Sequence, residues 1–279
     1  MITVGDIRVH VFSDGAFRLD GGALFGVVPR VLWEAAFPPD ERNRIQLAMN
    51  VVLIEAGEHR VLVDTGIGDK LGEKERGMYG VEQATTLVAA LAERGVTPQD
   101  VDAVVNTHLH FDHCGGNTRL EDGRLVPAFP RARYVMQKGE WEDASQPNER
   151  TRGSYREENF IPIAEAHQLE LVQGEAEIVP GVRVVPIGGH TAYHQMVVVE
   201  SGGQRLLIPS DVLPTASHVA PAWITGFDLF PLGTLAAKKR LLDDAIESGA
   251  TITFYHDLRT PLAKVGRKKD RYVLSEVTA

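Results

Sequence analysis

The chain has 279 residues, of which 43% are hydrophobic and 24% charged, with a formal charge of −9 when histidine is neutral. These values describe an ordinary globular protein long enough to bury a sizeable core, and one domain over residues 1–279 is the expectation. The acidic balance disfavours a nucleic-acid backbone as partner, and the single cysteine, Cys114, excludes an intrachain disulfide.

Met1 to Asp6 carries neither the basic nor the apolar region of a leader, and no apolar run approaches membrane-spanning length. A cytoplasmic protein with no membrane contact is the default expectation. Ile7 to Phe12 alternates and predicts a first strand, with His10 on its face. Asp20 to Leu47 is rich in Gly, Pro and aromatic residues and predicts a functional loop or interface. Its Phe25, Val27, Val28 and Trp33 exceed what a solvated loop needs, so a homodimer contact is expected there. Asn50 to Thr65 reads as a hairpin turning at Gly57-Glu58, and Gln195 to Asp211 repeats the pattern with a turn at Gly202-Gly203. Each delivers an aspartate, Asp64 or Asp211, near the end of its second strand. Gln83 to Arg94 predicts a helix with Leu87, Val88 and Leu91 inward and Gly95 as its stop. Thr97-Pro98 is an N-cap followed by a first-turn proline.

Val101 to Asn106 is a short β-branched run that reads as a buried strand, and Arg131 to Met136 reads as another. A helical or loop excursion begins near Glu140, and Pro147 to Ile163 has no clear periodicity. Val182 to Ile187 predicts a strand ending at Gly188-Gly189-His190. Pro214 to Leu232 is Pro-rich and apolar. Its Val219, Trp223, Ile224, Phe227 and Phe230 are expected to wall a pocket for a small molecule with an apolar tail. Thr234 to Ser248 predicts a helix, and Arg267-Lys268-Lys269 with Arg271 reads as a solvated tail.

The densest chemistry follows the Val101 to Asn106 strand. His108, His110, Asp112 and His113 place four metal-ligand side chains within six residues. An extended backbone would put His108, His110 and Asp112 on one side and His113 on another, so that one loop could feed two adjacent metals. His167 has no ligand spacing.

This stretch resembles the H-x-H-x-D-H signature of the metallo-β-lactamase-fold hydrolases. Leu62-Val63-Asp64-Thr65-Gly66, Gly189-His190-Thr191, Ser210-Asp211 and Phe254-Tyr255-His256-Asp257 match further motifs of that family in order. The resemblance implies an α/β fold, an αβ/βα sandwich of two packed mixed β-sheets with helices on the outer faces. It also implies a dinuclear site. One ion would be held by His108, His110 and His190, the other by Asp112, His113 and His256, with Asp211 bridging. The ions would be two divalent metals, zinc first, with manganese, iron or cobalt as alternatives. With one bridging hydroxide they would bring the net charge to about −6. The implied chemistry is attack of that hydroxide on a carbonyl or phosphoryl centre, with Asp112 carrying the proton to the leaving group. Asp64 is expected to accept a hydrogen bond from a ligand histidine or from the metal loop, and His194 stays outside the ligand set.

His110 stands where flavodiiron relatives carry Glu, and Asp211 where one lactamase class uses Cys, so hydrolysis of another substrate is implied. Asp20 to Pro29, Leu213-Pro214-Thr215 and Phe254 to Asp257 are similar to the quorum-quenching lactonases, which implies opening of N-acyl homoserine lactones. Organophosphate triesterase, thioesterase of glyoxalase II type, and non-catalytic signal binding are the alternatives. Pro214 departs from that branch, which places a tyrosine there. Tyr193 and His218 are the candidates to contact substrate instead.

Overall fold

The apolar runs that read as strands do form strands, and their period of two explains why both faces are hydrophobic. In the computed structural model, which describes residues 1–277, strand Arg44–Ala56 turns Val51 and Leu53 toward one buried layer and Val52 and Ile54 toward another. Leu206 and Ile208 likewise point one way and Leu207 the other. A strand whose alternate residues all meet apolar partners belongs to a sheet covered on both sides.

Two mixed seven-stranded sheets result. The first runs Ile2–Val4, Ile7–Asp20, Arg44–Ala56, His59–Val63, Ala103–Val105, Arg133–Gln137, Leu169–Val172. The second runs Ala176–Val179, Val182–Pro186, Gln195–Ser201, Gln204–Ile208, Thr251–Thr253, Leu262–Lys268, Arg271–Ser275. They face each other across a layer that includes Val9, Val52, Val63, Val105, Val184, Val199 and Ile208. Helices Leu87–Ala92 and Lys138–Ser145 cover the outer face of the first sheet, and Pro231–Ser248 covers that of the second. This is the expected αβ/βα sandwich. No helix among the described residues is long and apolar enough to cross a membrane.

The repeat of the two hairpins is real. His59–Val63 pairs in parallel with Ala103–Val105, and Gln204–Ile208 with Thr251–Thr253. Each parallel strand then leads directly into a loop bearing predicted ligands, His108 to His113 in one half and His256 in the other.

Several elements differ from expectation. The helix expected from Gln83 starts only at Leu87, capped by the Thr86 hydroxyl, because the Gln83 amide is held by Asp14 and the Gly68 carbonyl. Val88 is exposed and leaves the inward stripe to Leu87 and Leu91. Arg267 to Arg271 is not a tail but the turn of a hairpin that completes the second sheet, with Arg267 paired to Asp243 at 2.6 Å. The Asp20 to Leu47 segment is not chiefly an exposed surface. Phe25, Val28 and Trp33 are buried with Phe17, Leu47 and Met49, and Phe25 stacks on Trp33 at 5.1 Å. Of its large hydrophobic side chains only Val27, Val31 and Leu32 remain exposed, and Arg44 to Leu47 belongs to a strand.

Candidate metal centre

The ligand loop leaves strand Ala103–Val105, passes under the Asp64 carboxylate, and closes into the short helix Phe111–Cys114. Two glycine-containing turns make the closure possible. A Cβ at Gly66 would lie 2.2 Å from the Asp14 carboxylate, and one at Gly115 would lie 2.2 Å from the Ile67 carbonyl oxygen, so neither turn has room for a side chain.

All seven residues expected as ligands meet at one place, each buried. Ligand atoms of His108, His110 and His190 lie within 4.8 Å of one another. The same holds for Asp112, His113 and His256, and for His108, His113 and Asp211. Asp211 lies between the two sets. Its Oδ2 is 3.3 Å from His190 Nε2, while its Oδ1 is 3.3 Å from His113 Nε2 and 3.2 Å from His256 Nε2.

Hydrogen bonding fixes which nitrogen each imidazole turns inward. His113 Nδ1 donates to Asp64 Oδ2 at 3.0 Å, and His190 Nδ1 donates to Asp228 Oδ1 at 2.8 Å. His256 Nδ1 donates to the Ala48 carbonyl at 2.8 Å. The Thr107 hydroxyl donates to Asp64, so it can accept from His108 Nδ1 at 3.1 Å. With Nδ1 protonated in all four, the Nε2 lone pairs converge on the centre. His108 Nε2, His113 Nε2 and Asp211 Oδ1 are buried there without a hydrogen-bond partner. Buried lone pairs converging without donors fit divalent cations, and imidazole plus carboxylate is the donor set of zinc-like ions.

Burial and then the neighbouring His113 and His110 push His108 well below the ordinary histidine range. Burial also lowers His113, but the Asp211 and Asp112 carboxylates outweigh it and hold His113 well above that range. Burial would raise Asp211, yet His113, His256 and His190 hold it well below the usual carboxylate range.

Asp64 takes the role expected of it, accepting from His113 and from both the amide and hydroxyl of Thr107. Sequence reasoning missed Asp228 and Glu140. Asp228 orients His190 from a position 38 residues further on, a separation no local motif encodes. His194 is buried beside His108, with ring centroids 4.9 Å apart and neither nitrogen hydrogen-bonded. Burial lowers it to about 3, so it packs as a neutral ring.

A cavity of about 190 Å³ opens over the cluster, with His110, Asp112, His190, Asp211 and His256 at its floor. Leu19, Leu24, Tyr79, Phe111 and Phe227 form its apolar sides. The expected wall is narrower than the sequence implied. Of Pro214 to Leu232 only Thr225 and Phe227 line the cavity, whereas Val219 and Trp223 pack into the core and Phe230 faces solvent. Neither candidate substrate contact reaches it. Tyr193 lies over Gly139, and buried His218 is tied to Thr215 and stacked on Phe25 at 5.1 Å.

The profile of the metallo-beta-lactamase superfamily matches residues 45–257. The chain belongs to that superfamily. An N-acyl homoserine lactonase of Bacillus cereus is 27% identical over 228 residues, covering 77% of this chain and 84% of the relative. A probable metal-dependent hydrolase from Staphylococcus aureus is 33% identical and superposes with a TM-score of 0.90 over the whole of both chains. A dizinc quorum-quenching lactonase, solved with its acyl-homoserine product, shares the fold at 18% identity, with a TM-score of 0.80 over 100% of this chain and 97% of the other. The chain brings together buried His and Asp clusters suited to a metal-dependent hydrolase.

Proposed function

We propose that the chain is a dinuclear metal-dependent hydrolase that opens lactone rings, N-acyl homoserine lactones in particular. One ion would be held by His108, His110 and His190 and the other by Asp112, His113 and His256, with Asp211 shared. The observation that carries the reading is Asp211, whose two oxygens face the two imidazole sets separately. The 27% identity to an N-acyl homoserine lactonase supports the choice of substrate.

Two divalent ions supply a polarised substrate oxygen and a water activated near neutral pH. The residues do the rest. Asp64, Asp228, Ala48 and Thr107 hold the imidazoles of His113, His190, His256 and His108, in that order, in one tautomer and orientation. Asp112 stands at the cavity floor, where its carboxylate can carry a proton to the leaving alkoxide. Leu24, Phe111 and Phe227 exclude water from an apolar tail. The cavity is smaller than the roughly 300–1,000 Å³ of drug-sized ligand sites. Each methylene buried contributes at most about 0.8 kcal/mol, or nearly fourfold. Activity should therefore rise only over short acyl chains and then level off. A second copy of the chain is the partner we propose for exposed Val27, Val31 and Leu32; a monomer by light scattering at micromolar concentration would remove it.

The test is a panel of acyl-homoserine lactones, a phosphotriester and a thioester on metal-replete protein, with ring opening followed by proton release. Rapid cleavage of the phosphotriester or thioester with every lactone left intact would overturn the lactone assignment.

A further inference from the structure

Glu140 is a fully buried carboxylate outside the ligand set, in helix Lys138–Ser145 on the outer face of the first sheet. Three groups donate to it. The Leu109 amide and the Tyr155 hydroxyl reach Oε1, each at 3.0 Å, and the Thr191 hydroxyl reaches Oε2 at 2.6 Å. Leu109 is the residue between His108 and His110. Thr191 follows His190. Tyr155 forms an isolated β-bridge with His110, and the two rings lie 5.2 Å apart. The three donors thus adjoin the three histidines of one set, His108, His110 and His190, and none adjoins Asp112 or His256. They also come from both halves of the chain, which Glu140 joins behind the site.

We propose that Glu140 is a positioning residue that holds His108, His110 and His190 in register as one metal subsite, leaving the Asp112, His113 and His256 subsite to Asp64 and Ala48. The proposal rests on the dinuclear reading. A buried carboxylate with three donors resists rotation, because breaking any bond strands a donor away from water. Supporting groups of this kind change metal affinity by about 10–100-fold when removed.

Titration with Zn²⁺ and Co²⁺ against a chelator tests it. Wild type should bind two ions. Glu140→Ala should keep one affinity and lose about 10–100-fold on the other. In a His190→Ala background, which already lacks that subsite's third imidazole, Glu140→Ala should produce no further loss. Glu140→Gln should restore the weakened ion to within several-fold, since its Oε1 can still accept from Leu109 and Tyr155. Thr191→Val, which cuts only the link to the His190 turn, should weaken the same ion and so keeps the test open if Glu140→Ala does not fold. Equal weakening of both ions, or no change in either Glu140→Ala or Thr191→Val, overturns the proposal. A wild type that binds only one ion overturns the dinuclear reading instead.

Discussion

Asp211 is the residue on which the centre is balanced. Three imidazoles stand within 3.3 Å of its oxygens, and no other carboxylate touches both sets so evenly. Removing it leaves buried ligands of both subsites without their shared anion. Asp211→Ala should therefore lose bound metal and hydrolytic activity together, activity by roughly two orders of magnitude or more. Metal analysis beside a lactone assay checks this, and a variant retaining both ions would refute the bridging role. Of the proposed ligands, His108, His110, Asp112 and His113 were legible because one loop places them within six residues, whereas His190, Asp211 and His256 were implied by the resemblance to the family's ordered motifs. Their supports were legible only in part. Asp64 belongs to a recognisable strand end, whereas Glu140 and Asp228 act across the fold and carry no spacing signal.

At the scale of elements, the segment Pro214 to Leu232 shows how a correct position can carry a wrong orientation. It does cross beside the His and Asp cluster, but its Trp223 turns inward against Phe25, and buried Lys238 donates to the Trp223 carbonyl. His218 bonds Thr215 within the segment and stacks on Phe25 outside it. Apolar composition alone does not distinguish a pocket wall from a core layer. The hairpin Leu262 to Ser275 was illegible for the opposite reason, since its charged outer residues masked the inward Ala263 and Val265. Burial, with lesser help from Lys238, lowers His218 to about 3 from an ordinary 6.5. The unfolded chain then binds a proton that the folded chain refuses, so this contribution to stability is present above about 6.5 and is lost as pH falls toward 3. Melting curves of wild type and His218→Gln should converge, or cross, as pH is lowered from 7 to 4.5. A difference independent of pH would show that His218 does not titrate in that window.

The whole molecule is built so that neither half owns a complete site. The first sheet's loops supply His108, His110, Asp112 and His113, and the second sheet's loops supply His190, Asp211 and His256. Between them lies a continuous valine-rich layer, and the Asn50 side chain bonds the Phe254 and Asp257 carbonyls across the junction near His256. A shared core and a shared site make separate unfolding of the halves costly, and on that ground we propose a single domain. Ions that bind only the assembled halves must then stabilise both at once. At a free concentration 1,000 times the dissociation constant, one ion contributes about 4 kcal/mol. For 279 residues that corresponds to a rise of roughly 7 °C in midpoint. Calorimetry of metal-free and zinc-loaded protein should show a single transition in each, displaced as a unit by the metal. Two transitions, of which zinc moves only one, would mean that the halves fold independently and that one of them holds its ion alone.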